Sequence, residues 1–410
     1  MGTDMPVSNP PKSRQRYWDT SRAFLMLLGI PLHASLLYAV HIDWAVSATS
    51  SNVLFDWIYL IIHSFRMQAF FIVAGFFAGM LLVRKEAGAW LKSRVIRIGA
   101  PLIAGVILIN PFQMLITAAA GLDLTLATLG DVRAELLKEI TTSGIHWLRH
   151  FWFLVVLLEL SALLAFAHSA WPKLAYWRPE ERVSSLVSRN PVPSLLVAAV
   201  LIAAVSIASV IGMSFTGFNN HRILSMLQLR NTLIFAPFFL LGAFLSRDSQ
   251  ILERFVTPIP AVWLGAGVSI PAYAASTLLI KNQHIQTIAE LVSSSFAGLF
   301  MAHVVLSACK KWYDKPNPII DRLVLGSMAI YVLHQPIIGV LGMMAFYVDA
   351  PIFFEFLAIC LLTLALAYVG YVVVDKSRIL SLFFNGSIKS RAPEERSLRG
   401  VQLNQTPNAD

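Results

Sequence analysis

Ten apolar stretches, each long enough to cross a lipid bilayer as a helix, recur along the 410-residue chain. A hydrocarbon core of about 30 Å takes roughly 20 residues at 1.5 Å rise each. The stretches lie at about residues 22–42, 54–83, 98–118, 150–170, 192–213, 229–246, 258–280, 286–309, 323–346 and 351–374. Runs such as SLLVAAVLIAAVSIASVIGM are apolar throughout, without the period-two alternation of an outer-membrane barrel. The fold class that follows is all-α: a polytopic membrane protein of about ten transmembrane helices. The second stretch is long for one crossing and holds His63, Arg66 and Gln68, so an interfacial segment followed by a span is expected there.

Charge agrees with that class. Only 13% of residues are charged, against about 25% in soluble domains, too few to cover a water-exposed surface of this size. The net charge of +9 reads as lipid-facing rather than nucleic-acid-binding, because the basic residues are asymmetrically placed. With the N-terminus taken as cytoplasmic, 25 of the 32 Lys and Arg fall in cytoplasmic segments and six on the opposite side, with Arg66 inside a span. Both termini are therefore expected in the cytoplasm. Residues 1–16 read as a polar tail, 17–376 as the membrane domain and 388–410 as a disordered tail. The two cysteines, Cys309 and Cys360, lie far apart in apolar runs and support neither a disulfide framework nor a metal site.

A charge in the bilayer core costs at least about 2.5–3.5 kcal/mol, so ionisable residues there are functional candidates. His33 follows Arg22 by eleven residues, about 16 Å of helix, and His334 follows Arg322 by twelve, about 18 Å. Arg66 sits near the middle of its stretch. The shared depth of these three, from distant parts of the chain, predicts a buried polar chamber. An arginine there needs an anion or several acceptors. Glu159 is expected to pair with a basic residue, and His63, His168 and His303 are weaker candidates. At the cytoplasmic mouth, Asp19 and Arg22 share a helix face, the carboxylate also being placed to cap the helix. Arg94 and Arg97 fit either cytoplasmic anchoring or the phosphates of a nucleotide-like donor. The outward loop, roughly 119–149, with Asp123, Asp131, Glu135 and Glu139, is where an extracytoplasmic substrate could be gripped.

The stretches YWDTSRAFLMLLGIPLHASLLY, HSFRMQAFFIVAGFF, RVIRIGAPL, HFWFLVVLLEL and YVLHQPII, in this order, resemble the membrane-bound acyltransferase-3 family across about residues 17–375. The first two are most similar to the branch that succinylates osmoregulated periplasmic glucans. The resemblance implies a bacterial inner-membrane O-acyltransferase with an acyl-CoA donor, succinyl-CoA for this branch, and a periplasmic glucan acceptor. Other glucan biosynthesis proteins are implied as partners. By the same resemblance His33 is the general base and Arg66 the second-span arginine. Arg94 and Arg97 are the basic motif before the third span, Asp19 and Arg22 the pair opening the first helix, and Trp152 part of the aromatic motif of the fourth. Gln68 fits the glucan branch, where the wider family has Pro. His334 is expected among the substrate-binding residues, and aromatics around Trp147 and Trp152 are expected under the sugar rings. Two rivals remain at this stage: O-acetylation of another surface polysaccharide, and a secondary transporter, which would call for internal repeats that are not visible.

Overall fold

The computed structural model describes residues 15–48, 50–122, 126–142, 144–216, 224–345, 347–348 and 350–387. The expected C-terminal tail, Asp123 and nearly all of the expected N-terminal tail lie outside them. Among the described residues the regular structure is helical, with no strand, and nine helical segments are long and apolar enough to cross a membrane. The tenth expected crossing is the first, built from two helices in tandem, α1 (Arg16–Leu27) and α2 (Gly29–Leu36). The break between them is local. Leu28 stays near helical dihedrals and donates to the Phe24 carbonyl at 3.0 Å, while Pro31 supplies no N–H in the first turn of α2.

The second crossing is α3 (Val53–His63) and α4 (Arg66–Leu82), separated at Phe65, whose φ of −134° leaves the helical region. The third, α5 (Ala87–Ala104), a π-helical turn at Gly105–Ile109 and α6 (Asn110–Ala120), starts earlier than its apolar core because the Glu86 carboxylate caps it, accepting from Gly88 and Ala89 N–H at 2.9 Å. The stretch expected to be an outward loop contains α7 (Leu129–Thr142) and a 3₁₀ segment, Gly144–Phe151. Remaining crossings are α8 (Trp152–Ala170), α10 (Pro191–Thr216), α11 (Leu229–Leu245), α13 (Pro260–Leu279), α14 (Gln283–Tyr313), α15 (Pro318–Ala345) and α16 (Ile352–Asp375). Short helices α9 (Glu181–Arg189), α12 (Ser249–Phe255) and α17 (Arg378–Asn385) lie at the end shared with the start of α1.

Polar ties identify that end, here called inner. Arg16 pairs with Asp321 at 2.8 Å, Tyr17 N–H donates to Asp314 at 3.2 Å, and Lys310 meets Glu253 at 2.5 Å. At the outer end the buried Asp56 carboxylate accepts from the backbone N–H of Val40 and His41, at 2.9 and 2.8 Å, fixing the loop that follows α2. Between the ends, α4 and α11 touch backbone to backbone: a methyl on Gly75 would strike the Phe239 carbonyl, and one on Gly242 the Ile72 carbonyl. Small residues that let helices approach this closely are the usual cement inside a bilayer.

Candidate functional site

The site is built where α2, α4 and α15 meet. The His33 and His334 rings lie 5.3 Å apart between centroids, tilted by 45°. One turn before His33, Gly29 makes room for both other helices: a methyl there would lie 2.6 Å from Arg66 Nη1 and 3.1 Å from His334 Nε2. Arg66, the first residue of α4, thus enters beside His334 immediately below His33. The imidazole of His334 is oriented by its own backbone, since Nδ1 lies 2.5 Å from the Tyr331 carbonyl and donates to it. That leaves Nε2 as the bare acceptor, buried and without a hydrogen bond. His33 Nδ1 and Arg66 Nε are likewise buried and unbonded. So many unmet polar atoms at one point are rare in folded proteins and mark a place built for another molecule.

A third imidazole joins them. His150 lies 5.3 Å from His334 and 5.1 Å from Tyr331, whose hydroxyl donates to the His150 carbonyl. Sequence reasoning missed it. His150 sits at the start of its span, where depth counting gives no signal, and its direction is set by a backbone kink: Arg149 has φ 43° and ψ −127°. The only sequence signal was its place directly before the FWFL run. On the outer side Trp44 stacks near His33 at 6.2 Å and 26°. His63 stacks on Tyr59 at 5.0 Å, extending the aromatic wall toward Tyr273.

The other expected residues are distributed differently. Asp19 and Arg22 lie on one face of α1, 3.8 Å apart, with the Arg22 guanidinium 5.8 Å over Phe77. Asp19, but not Arg22, lines a cavity of about 810 Å³ at the inner end, together with Trp18, Phe77, Arg84, Arg178 and Arg247 among others. Arg94 rests 5.6 Å over Trp90 with Nε buried and unbonded, within electrostatic reach of Arg22, whereas Arg97 is exposed. Neither lines that cavity. Gln68 is buried against Gly298 of α14, its Oε1 unbonded.

Trp152 stacks on Phe235 of α11 at 5.7 Å and packs against the hydrophobic core between the helices. Trp147 gives its carbonyl to Asn110. Glu159 takes a hydrogen bond from Thr232 at 2.5 Å rather than the basic partner expected for it. His168 and His303 serve as helix ties: His168 contacts Arg247 at 3.2 Å, and His303 bridges the Phe255 carbonyl and the Ile259 N–H.

With this geometry in place, comparison with known proteins is informative. The acyltransferase-3 family, described as an acyltransferase domain, matches residues 15–372. Glucans biosynthesis protein C from Salmonella gallinarum (strain 287/91 / NCTC 13346) is 28% identical over 333 residues, 81% of this chain and 84% of the relative. The proteins of the same name from Salmonella paratyphi B and Salmonella choleraesuis align with the same identity and coverage. No solved structure matches. A chain matched over nearly its whole length by this family, folded as a multi-pass bundle of apolar helices, belongs to the acyltransferase-3 family of membrane acyltransferases.

Proposed function

We propose that the protein transfers a succinyl group from acyl-CoA, delivered at the cytoplasmic face, to hydroxyl groups of periplasmic glucans in the bacterial inner membrane. The observation that carries this reading is the meeting of His33, His334 and Arg66, with unbonded nitrogens, in the middle of a helical bundle. The names of the Salmonella relatives support the glucan as acceptor.

A sugar hydroxyl holds its proton far too tightly to attack a thioester unaided, and imidazole is the side chain whose ordinary titration lies nearest neutrality. His33 takes the hydroxyl proton as the oxygen attacks the thioester carbonyl. The negative charge gathering on that carbonyl oxygen is met by the Arg66 guanidinium, which is worth most in a water-excluded site. His334, with Nε2 bare, accepts a hydrogen bond from the reacting group and keeps it between the two helices. Collapse of the intermediate breaks the C–S bond, and the thiolate takes the proton held on His33. The phosphates of the donor have the inner cavity with Arg84, Arg178 and Arg247 in its wall as their approach, with Arg22 behind its Phe77 and Arg94 within electrostatic reach of Arg22.

The test is mass spectrometry of periplasmic glucans from cells carrying His33→Ala. Loss of a general base costs about 100-fold or more, so succinyl groups should vanish while the protein persists in the membrane. Undiminished succinylation would sink the reading. Acetyl groups in place of succinyl in the unmutated strain would transfer the mechanism to the O-acetylating alternative.

A further inference from the structure

Where α13 begins and α14 ends, separate from the histidine cluster, the bundle carries a groove with a cavity of about 380 Å³. Its walls are Pro258 and Pro260 at the entry to α13, Trp263 in the first turn of α13, and Ala308, Lys311 and Trp312 near the end of α14. The loop at its edge has little to offer water. Pro258 and Pro260 carry no N–H, and the N–H of Ile259 between them is taken by His303 Nε2 at 3.3 Å. A depression so poor in polar groups, on a bundle that lies in lipid, suits hydrocarbon rather than a polar solute.

Two further observations say which hydrocarbon-bearing molecule fits. The first is an open track toward the middle of the span. Gly267 lies one turn beyond Trp263 on the same face of α13, is exposed, and has nothing within 4 Å of the point where a side chain would begin. The second is charge. Two adjacent lysines stand in the last turn of α14. Lys310 is tied to Glu253 at 2.5 Å, whereas Lys311 lines the groove with Nζ 5.5 Å from the centre of the Trp312 ring and makes no hydrogen bond or ion pair among the described residues. No carboxylate stands in the wall, and the nearby Asp314 accepts the Tyr17 N–H at 3.2 Å. The groove thus presents one uncompensated cation beside an apolar furrow. Its two indoles, Trp263 and Trp312, are 36% and 56% exposed, the amphipathic rings that settle at the headgroup level of a bilayer.

We infer that this groove binds one anionic phospholipid from the leaflet at the inner end. The headgroup phosphate meets the Lys311 ammonium, and an acyl chain lies against Trp263 and runs on past Gly267. A zwitterionic lipid brings a cation of its own to Lys311 and is the poorer occupant, whereas basic pockets between transmembrane helices favour anionic headgroups. The site owes nothing to the acyl-transfer reading, since none of its residues touches the chamber.

The experiment is native mass spectrometry of the full-length protein, delipidated in neutral detergent and titrated with phosphatidylglycerol, with phosphatidylcholine of the same chains, or with inorganic phosphate. One phosphatidylglycerol should bind ahead of all further lipids and ahead of phosphatidylcholine, and inorganic phosphate should not displace it. A basic residue at a membrane surface is worth about fivefold in affinity for anionic lipid. Lys311→Gln should therefore lose about that much for phosphatidylglycerol, and Lys311→Arg should retain it. Lys173→Gln, at an exposed inner-end lysine outside the groove, should leave it unchanged. Gly267→Leu fills open space on an exposed helix face and improves helix propensity, so the fold should tolerate it while both lipids bind more weakly. Equal affinity for the two lipids, equal effects of Lys311→Gln and Lys173→Gln, unaltered binding in Gly267→Leu, or displacement by inorganic phosphate would each overturn the inference. A dimer that persists after delipidation and takes up no lipid would overturn it too, by giving the groove to a second copy of the chain.

Discussion

Arg66 Nη1 and His334 Nε2, from helices far apart in the sequence, approach the same face of Gly29, at 2.6 and 3.1 Å from the point where a side chain would begin. The glycine is what allows a cation and a neutral acceptor to share the turn below His33. Substituting Gly29→Ala should therefore push both groups aside while leaving helix propensity improved. Acyl transfer should fall by about tenfold or more, as expected when a catalytic group is displaced by about 1 Å, with thermal stability nearly unchanged. Activity assays and melting curves on the same preparation separate these outcomes; full activity would mean that the guanidinium is not needed in that position.

Asp56 ties the outer loop to α3 through two backbone N–H groups and contributes no group to the chamber. Replacing it with Ala leaves those donors unpaired and should cost about 2 kcal/mol. Because the loop carries Trp44, the acceptor KM should rise more than kcat falls. Steady-state kinetics over a range of glucan concentrations tests this, and a pure kcat effect would contradict it.

The contact between α4 and α11 has no slack. Gly242→Ala places a methyl against the Ile72 carbonyl and should destabilise the fold by about 1–3 kcal/mol or lower its yield in membranes. By contrast, Gly212→Ala, where nothing lies within 4 Å, should be tolerated. Comparing the two melting temperatures, with Gly212→Ala as the control, checks the assignment.

Glu86 lies outside the spans, and the backbone N–H groups of Gly88 and Ala89 hold its carboxyl below the usual range by stabilising the ionised form. A carboxyl depressed on folding contributes stability that is present above its unfolded value and is lost as pH falls through its folded one. Glu86→Gln should therefore be less stable than the parent at neutral pH, and the gap should close on acidification below the ordinary glutamate value of 4.5. Melting curves at several pH values would show this; a gap that is constant with pH would assign the effect to something other than the charge.

The bundle was legible because apolar length is nearly sufficient to specify a membrane helix, and Arg66, His33 and His334 could be noticed because their charge or polarity is costly at depth. Directions around each helix were less accessible. Trp152 carries the same aromatic signal as Trp44, yet one stacks on Phe235 and the other near His33, and only helix register and loop path decide which. His150 escaped notice because its orientation depends on a kink at Arg149 that no residue type announces, an arginine being an improbable occupant of positive φ. The inner arginines show the same limit: Arg94 and Arg97 stand out as a motif in the sequence, whereas the arginines lining the inner cavity, Arg84, Arg178 and Arg247, come from separate segments that only the fold brings together.

The glycine contacts between α4 and α11 have a mechanical implication. Two rods whose main chains interlock cannot slide or roll on one another without first separating, so the wall that bears Arg66 behaves as an anvil. In the proposed reaction, the breathing that admits donor and acceptor has to be supplied by the softer members: the jointed first crossing at Leu28 and the π turn at Gly105–Ile109.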